Sequence, residues 1–200
     1  MDTRHGAWRM TDVVTRRLFR TVISTPLGEM LALASDEGLC ALEFTTVPGR
    51  PRGEERLTRL NARLARWFPP HEIVDRETAT IAGTRRWLTA YFDGTAADST
   101  AIPLDMRGAP FEQRVWVALQ TIPPGRTTSY GAIARTLNAP GASRAVGAAN
   151  GANPIAILVP CHRVIGSTGS LTGYGGGLDR KTWLIDHERR WRTEPQASLF

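Results

Sequence analysis

The sequence predicts an α/β fold of the α+β kind, with an antiparallel sheet and helices in the N-terminal half and a helical C-terminal half that contains a helix-turn-helix. Three observations lead there. Apolar, β-branched runs separated by turn residues fill positions 19–45, apolar residues at helical spacing follow from Leu57, and the same spacing resumes after Pro110. With 42% apolar and 22% charged residues over 200 positions, the chain has material for a buried core.

Residues 1–16 are polar and basic and are expected to form a flexible arm. An N-terminal α/β unit is expected over 17–100. Its strands are 19–24, 29–34 and 39–45, a meander whose turns are Thr25-Pro26-Leu27-Gly28 and Asp36-Glu37-Gly38. Cys40 falls in the third strand, with no local base, and reads as a small buried hydrophobe. A surface loop over 47–53, rich in proline and glycine, precedes a helix marked by Leu57, Leu60, Leu64 and Trp67, which Pro69-Pro70 ends. Ile81, Trp87, Leu88, Tyr91 and Phe92 mark a second helix closing at Gly94. Ile102, Leu104 and Met106 alternate along an extended connector, 101–109.

A C-terminal unit is expected over 110–190, with a short tail at 191–200. Pro110 opens a helix whose apolar side is Phe111, Val115, Trp116 and Leu119, stopped by Pro123-Pro124-Gly125. Ser129 can cap a short helix from Tyr130 to Leu137, and Ser143 can cap another that runs toward Asn153, where Pro154 limits it. Two short helices around the turn at 138–141 have helix-turn-helix geometry. The second offers alanine and glycine around Arg144 and Asn150, too few long side chains to read base edges in a deep major groove. Two readings stay open for it: a backbone that approaches a shallow minor groove while one arginine inserts between bases, or a tightly packed helix pair.

Charge and cysteine usage narrow the function classes. A net charge of +6 and a pI near 10.3 favour an anionic partner, nucleic acid first, although arginine supplies nearly all of the excess and Lys181 is the only lysine. No apolar stretch approaches the ~20 residues that cross a bilayer, so a cytoplasmic protein without membrane contact is expected. Cys40 and Cys161 make no disulfide framework, and the four histidines make no metal cluster.

Chemistry concentrates in Pro160-Cys161-His162-Arg163-Val164, between the apolar run 155–159 and the glycine-rich stretch 166–177. This reads as a thiol and an imidazole at a strand end, beside a loop that can cover them. A thiol attacks as thiolate and needs a base or a positive field, which a neighbouring histidine supplies. A buried cysteine that happens to adjoin a histidine is the alternative.

Upstream runs Ser143-Arg144-Ala145-Val146-Gly147-Ala148-Ala149-Asn150-Gly151-Ala152-Asn153-Pro154. Downstream, Gly173-Tyr174-Gly175-Gly176-Gly177-Leu178 leads to Lys181, Trp183, Leu184, His187 and Glu188. This order, around Pro-Cys-His-Arg-Val, resembles the O6-alkylguanine-DNA alkyltransferases, which repair DNA by direct reversal. The resemblance is strong over 111–188 and only general before it.

It implies a ribonuclease H-like domain followed by a DNA-binding and alkyltransferase domain. It further implies irreversible, stoichiometric transfer of an alkyl group from O6 of guanine, and from O4 of thymine, to Cys161 after nucleotide flipping through the minor groove. Double-stranded DNA carrying O6-alkylguanine would be the partner, the protein would be a monomer, and no cofactor or metal would take part. His162 would contact the thiol through a water and be oriented by Glu188, while Asn153 would be the hinge between the DNA-binding helix and the nucleophile segment. Arg144 would fill the vacated stack, and Tyr130 would crowd the rotated phosphate. Tyr174 would stack on the purine, the Gly175 N–H would approach O6, and the Cys161 and Val164 carbonyls would face the exocyclic amine. Ser129 and Asn150 would complete the DNA and substrate contacts. Gly175 stands where relatives have serine and Ala156 where some have a pocket-narrowing proline, which implies a wider pocket. A lesion binder without chemistry, a cysteine hydrolase and an alkylation-sensing regulator are the competing classes. The first lacks the cysteine retained here, the second needs an oxyanion hole and turnover, and the third lacks a metal-binding cysteine cluster in this chain.

Overall fold

The computed structural model describes residues 15–46, 53–95 and 98–191. Most of the expected basic arm, all but the last residue of the loop at 47–53 and most of the tail therefore lie outside the described residues.

Strands β1 (Arg16–Ile23), β2 (Met30–Ala34) and β3 (Leu39–Phe44) form the expected antiparallel meander, with a register shift at Leu33/Ala34. A fourth strand, β4 (His71–Asp75), lies parallel to β1, so the sheet is mixed, with order β3-β2-β1-β4. Sequence reading misses β4 because its ends, His71 and Asp75, and Glu72 are polar. As an edge strand it is mostly exposed and shows little of the alternation that burial on one face imposes.

Alternation in the other strands assigns the two faces of the sheet. Leu18, Leu33 and Cys40 face helix α1 (Gly53–Trp67), whose Leu60 and Leu64 complete a small core with Phe68. Phe19, Met30, Ala32, Leu39, Leu42 and Phe44 face the larger core, shared with α2 (Ala79–Phe92), α3 (Pro110–Gln120) and residues 155–159. Each fully buried leucine contributes about 1.5–3 kcal/mol. The C-terminal half of the molecule is thus packed directly on one face of the N-terminal sheet.

The free edge of β3 is covered at both ends. At one end Leu39 N–H donates to Pro103 O and Asp105 N–H to Leu39 O, at 2.8 and 2.9 Å. A Cβ on Gly38 would meet Pro103 O at 2.6 Å, so the connector approaches here only because the position is glycine. At the other end Leu42 N–H donates to Pro154 O at 2.9 Å and Ala156 N–H to Leu42 O at 2.8 Å.

The helix-turn-helix consists of α4 (Tyr130–Thr136) and α5 (Ser143–Gly151) packed on α3. Ser129 Oγ accepts from Ala132 N at 3.1 Å, the expected cap. Ser143 does not cap α5: it is the first helical residue, and Ala142 occupies the cap position without a side-chain bond. Trp116, buried in α3, ties this group together by donating from Nε1 to Ala149 O at 2.9 Å. The last helix, α6 (Leu178–Arg190), returns across the site. None of the helices among the described residues is long and apolar enough to span a membrane.

Candidate active site

The run 155–159 is not a strand, despite its apolar, β-branched composition. Asn153, just beyond α5, folds it into a turn: Nδ2 donates to Val159 O at 2.7 Å and Ile155 O at 3.3 Å, while Oδ1 accepts from Ile155 N at 3.0 Å. Ile157 consequently takes a positive φ of 70°, costly for a β-branched residue and sustained by those bonds. Cys161 therefore sits on a 3₁₀ turn, Cys161–Arg163, and not at a strand end as the sequence suggested. The turn leads into β6 (Val164–Ile165), which pairs in parallel with β5 (Thr128–Ser129), setting Val164 beside Thr128 and Ser129 beside Ile165. Ala156 spends its N–H on Leu42 O, a bond that a proline could not make.

Cys161 is 6% exposed and His162 fully buried. His162 Nε2 meets Glu188 Oε1 at 2.9 Å, whereas its Nδ1 is buried without a hydrogen-bond partner. Glu188, which reads as a surface helix residue in isolation, is 1% exposed and surrounded by donors. Arg163 reaches it twice, Nη2 to Oε1 at 2.8 Å and Nε to Oε2 at 2.9 Å, and also donates from Nη1 to Ile122 O. Gly125 N–H donates to Oε2 at 3.0 Å, and Tyr91 Oη to Oε1 at 2.8 Å.

The electrostatics follow from these partners. Burial disfavours the Glu188 charge, but bonds and charges from His162 and Arg163 outweigh it and hold its pKa well below the usual carboxylate range. Burial pushes His162 below its ordinary value; Glu188 opposes this, and the Arg163 and Lys181 charges reinforce it. We take the resting state to be a neutral His162 beside an ionised Glu188 whose standing counterion is Arg163. Such an imidazole is ready to accept a proton.

Lys181 is fully buried and donates from Nζ to Val164 O and Thr172 O, each at 2.6 Å. Burial lowers its pKa, and a Cys161 thiolate would raise it, so cation and thiolate stabilise each other. Asn150 is also turned inward, with Nδ2 3.4 Å from Cys161 O. It tethers the segment that carries Cys161, because its place on α5, where a DNA or substrate contact was expected, is the face packed on the core. Arg144 occupies the exposed face of the same helix.

The glycine-rich loop closes one side. Tyr130 Oη donates to Thr172 O at 3.2 Å, sharing that carbonyl with Lys181, and a Cβ on Gly147 would stand 3.8 Å from the Tyr130 ring. Tyr174 presents its ring edge-on to His162, centroids 6.4 Å apart. Gly175 is exposed beside it. The loop is stapled to the N-terminal half by Arg180, which donates to Gly176 O, Leu27 O and Thr46 O and lies over the Phe44 ring. His187 points elsewhere, stacking on Trp183 and bonding Tyr91 O at 2.7 Å.

Cys161, His162, Glu188, Asn153 and Val164 are thus gathered in one buried cluster, with Tyr130, Ser129, Tyr174 and Gly175 along its rim. Tyr91, Arg163 and Lys181 are part of the cluster although sequence reading gave them no role. The available signals were the place of Arg163 in Pro-Cys-His-Arg-Val and Lys181 as the one lysine of the sequence.

Comparison with known proteins matches residues 18–106 to the 6-O-methylguanine DNA methyltransferase ribonuclease-like domain and residues 110–190 to the DNA binding domain of the same family. A methylated-DNA–protein-cysteine methyltransferase of Salmonella typhimurium is 44% identical over 86% of this chain and 96% of its own. Its counterpart in Mycolicibacterium paratuberculosis is 63% identical over 55% of this chain and 66% of its own length. The crystal structure of Mycobacterium tuberculosis OGT in complex with DNA superposes with a TM-score of 0.68 at 39% identity, covering 88% of this chain and 94% of that one. With the buried cysteine, histidine and glutamate brought together inside this fold, the chain belongs to the methylated-DNA–protein-cysteine methyltransferase family.

Proposed function

We propose that the protein repairs duplex DNA by moving an alkyl group from O6 of guanine, and from O4 of thymine, to Cys161 Sγ, acting once per chain. The thiol proton passes through a bridging water to His162 Nδ1. The thiolate attacks the alkyl carbon, the carbon–oxygen bond breaks, a carbon–sulfur bond forms, and the released base takes up one proton. Glu188 fixes the imidazole tautomer and stabilises the transient imidazolium. The observation that carries this reading is His162 itself, the residue after Cys161, bound to Glu188 through Nε2 while Nδ1 stays buried and unpartnered.

The reactive atom lies inside a base-paired stack, so the nucleotide must be flipped. Arg144 on the exposed face of α5 is the candidate to fill the gap, and Tyr130 and Tyr174 line the path of the extruded base. Small residues on α5 favour approach through the minor groove. Gly175 and Ala156 carry no bulk toward the alkyl group, which favours acceptance of larger adducts. Residues 17–100 act as the supporting unit, 101–109 as the connector, and the protein works as a monomer without a cofactor.

The test is a titration of the protein with excess duplex containing labelled O6-methylguanine. A burst that stops at one label per chain, recovered on Cys161, is expected. Continued release of product would reject the single-use mechanism in favour of a hydrolase.

A further inference from the structure

Tyr91 differs from the other partners of Glu188 because it comes from α2, in the N-terminal half. Its Oη donates to Glu188 Oε1 at 2.8 Å, the same oxygen that meets His162 Nε2 at 2.9 Å and Arg163 Nη2 at 2.8 Å. A carboxylate offers about two lone-pair sites on each oxygen, so these three donors compete. The phenol is held with little freedom. Tyr91 is 1% exposed, its ring lies 5.0–5.5 Å from the rings of Trp87, Phe92, His187 and Trp191, and its carbonyl accepts from His187 Nε2. Burial, with the adjacent Glu188 charge, raises the phenol pKa well above its ordinary value and keeps it a donor.

The titratable and charged groups around the His162–Glu188 pair are Arg163 and Cys161 on the 3₁₀ turn, Lys181 on α6, Tyr174 on the loop and Tyr91 on α2, with His187 of α6 lying behind Tyr91 on its carbonyl. Tyr91 is the neutral one that binds the carboxylate directly.

We infer that Tyr91 is a positioning residue for alkyl transfer: its hydroxyl orients the Glu188 carboxylate and limits how firmly Oε1 holds a protonated His162, so the N-terminal half contributes a group to the proton relay. The inference rests on the relay reading above. Tyr91→Phe keeps the ring in its aromatic surroundings and removes the competing donor. Oε1 then binds an imidazolium more tightly, and less His162 is neutral at a given pH.

The experiment measures the first-order rate of label transfer at saturating duplex as a function of pH. The limb that rises with pH is identified by its loss in His162→Gln. In Tyr91→Phe the midpoint of that limb is expected to move up by about 0.5–1 unit, slowing transfer about 3–10-fold on its acid side, while duplex Kd stays within about twofold. Ortho-fluorotyrosine placed at position 91 has a more acidic phenol in almost the same volume, so the midpoint is expected to move down. If Tyr91→Phe does not fold, the fluorinated protein decides. Midpoints unmoved in the chains that fold, or a uniform loss of rate at every pH, would reduce Tyr91 to packing and overturn the inference. Failure of the unsubstituted protein to label Cys161 would instead overturn the relay reading itself.

Discussion

Cys40 and Cys161 are both buried, and their surroundings separate them completely. Cys40, 1% exposed in β3, donates to Leu33 O at 3.3 Å and sits beneath α1 among Leu18, Leu60, Leu64 and Phe68. Burial, helped by the Asp105 charge, pushes its pKa up to about 12. Cys161 is nearly as deep, but it follows a tightly turned segment, adjoins His162, and carries a charge, once ionised, that the Lys181 ammonium bound to Val164 O would favour. Depth silences a thiol when the neighbours are apolar, whereas polar groups fixed at the same depth prepare it to react.

The largest test of this contrast is to exchange sulfur for oxygen at each position. Cys161→Ser should abolish transfer while duplex binding stays measurable, and Cys40→Ser should transfer at the wild-type rate. Mass spectrometry that located the alkyl group on Cys40 would invert the assignment.

Next in size is the polar setting of Cys161. His162→Ala and Glu188→Gln should each slow transfer by about 10²–10⁴. Because both act on one proton, the double variant should lose far less than the product of the two, and rate constants that multiplied independently would argue against one coupled relay.

A smaller effect concerns how each region meets solvent. The Cys161 half carries Arg144 on an exposed helix face. Arg144→Ala should slow repair of a lesion in duplex more than reaction with the free alkylated base, since only the duplex leaves a gap to fill. Equal losses on both substrates would make Arg144 part of the chemistry or the fold.

The smallest effect is on stability against pH. The folded protein depresses His162 below its ordinary 6.5, so the unfolded chain binds the extra proton and stability falls as pH drops below about 6.5. Glu188 is depressed from 4.5, which adds a further loss below about pH 4.5. Urea midpoints recorded across this range should show both steps, and His162→Gln should remove the upper one. An unchanged upper step would assign it to other groups.

Much of this architecture is legible because the signals are local. The meander follows from β-branched runs and their turns, α3 from Pro110 and its apolar spacing, and the site from Pro-Cys-His-Arg-Val together with its flanking segments. What stays hidden is set by contacts between distant residues. An apolar run such as 155–159 reads as a strand until Asn153 is seen bonding its carbonyls. Nothing near Glu188 indicates that Arg163, Tyr91 and Gly125 will converge on it, and Asn150 reveals its inward face only once α5 is packed. Edge strand β4 lacks the alternation that burial would have written into it.

The bond pair between Leu42 and the segment at Pro154 and Ala156 joins the two halves of the chain, which makes it a contact of high sequence separation. Such contacts close late in folding, after local helices and hairpins have formed, because their loop entropy is the largest. The turn that seats Cys161 is therefore expected to be among the last parts to set. For the single-use transfer proposed above, this timing means that during synthesis the Cys161 sulfur is an ordinary thiol, which gains its reactive setting only when the whole chain is in place to direct it.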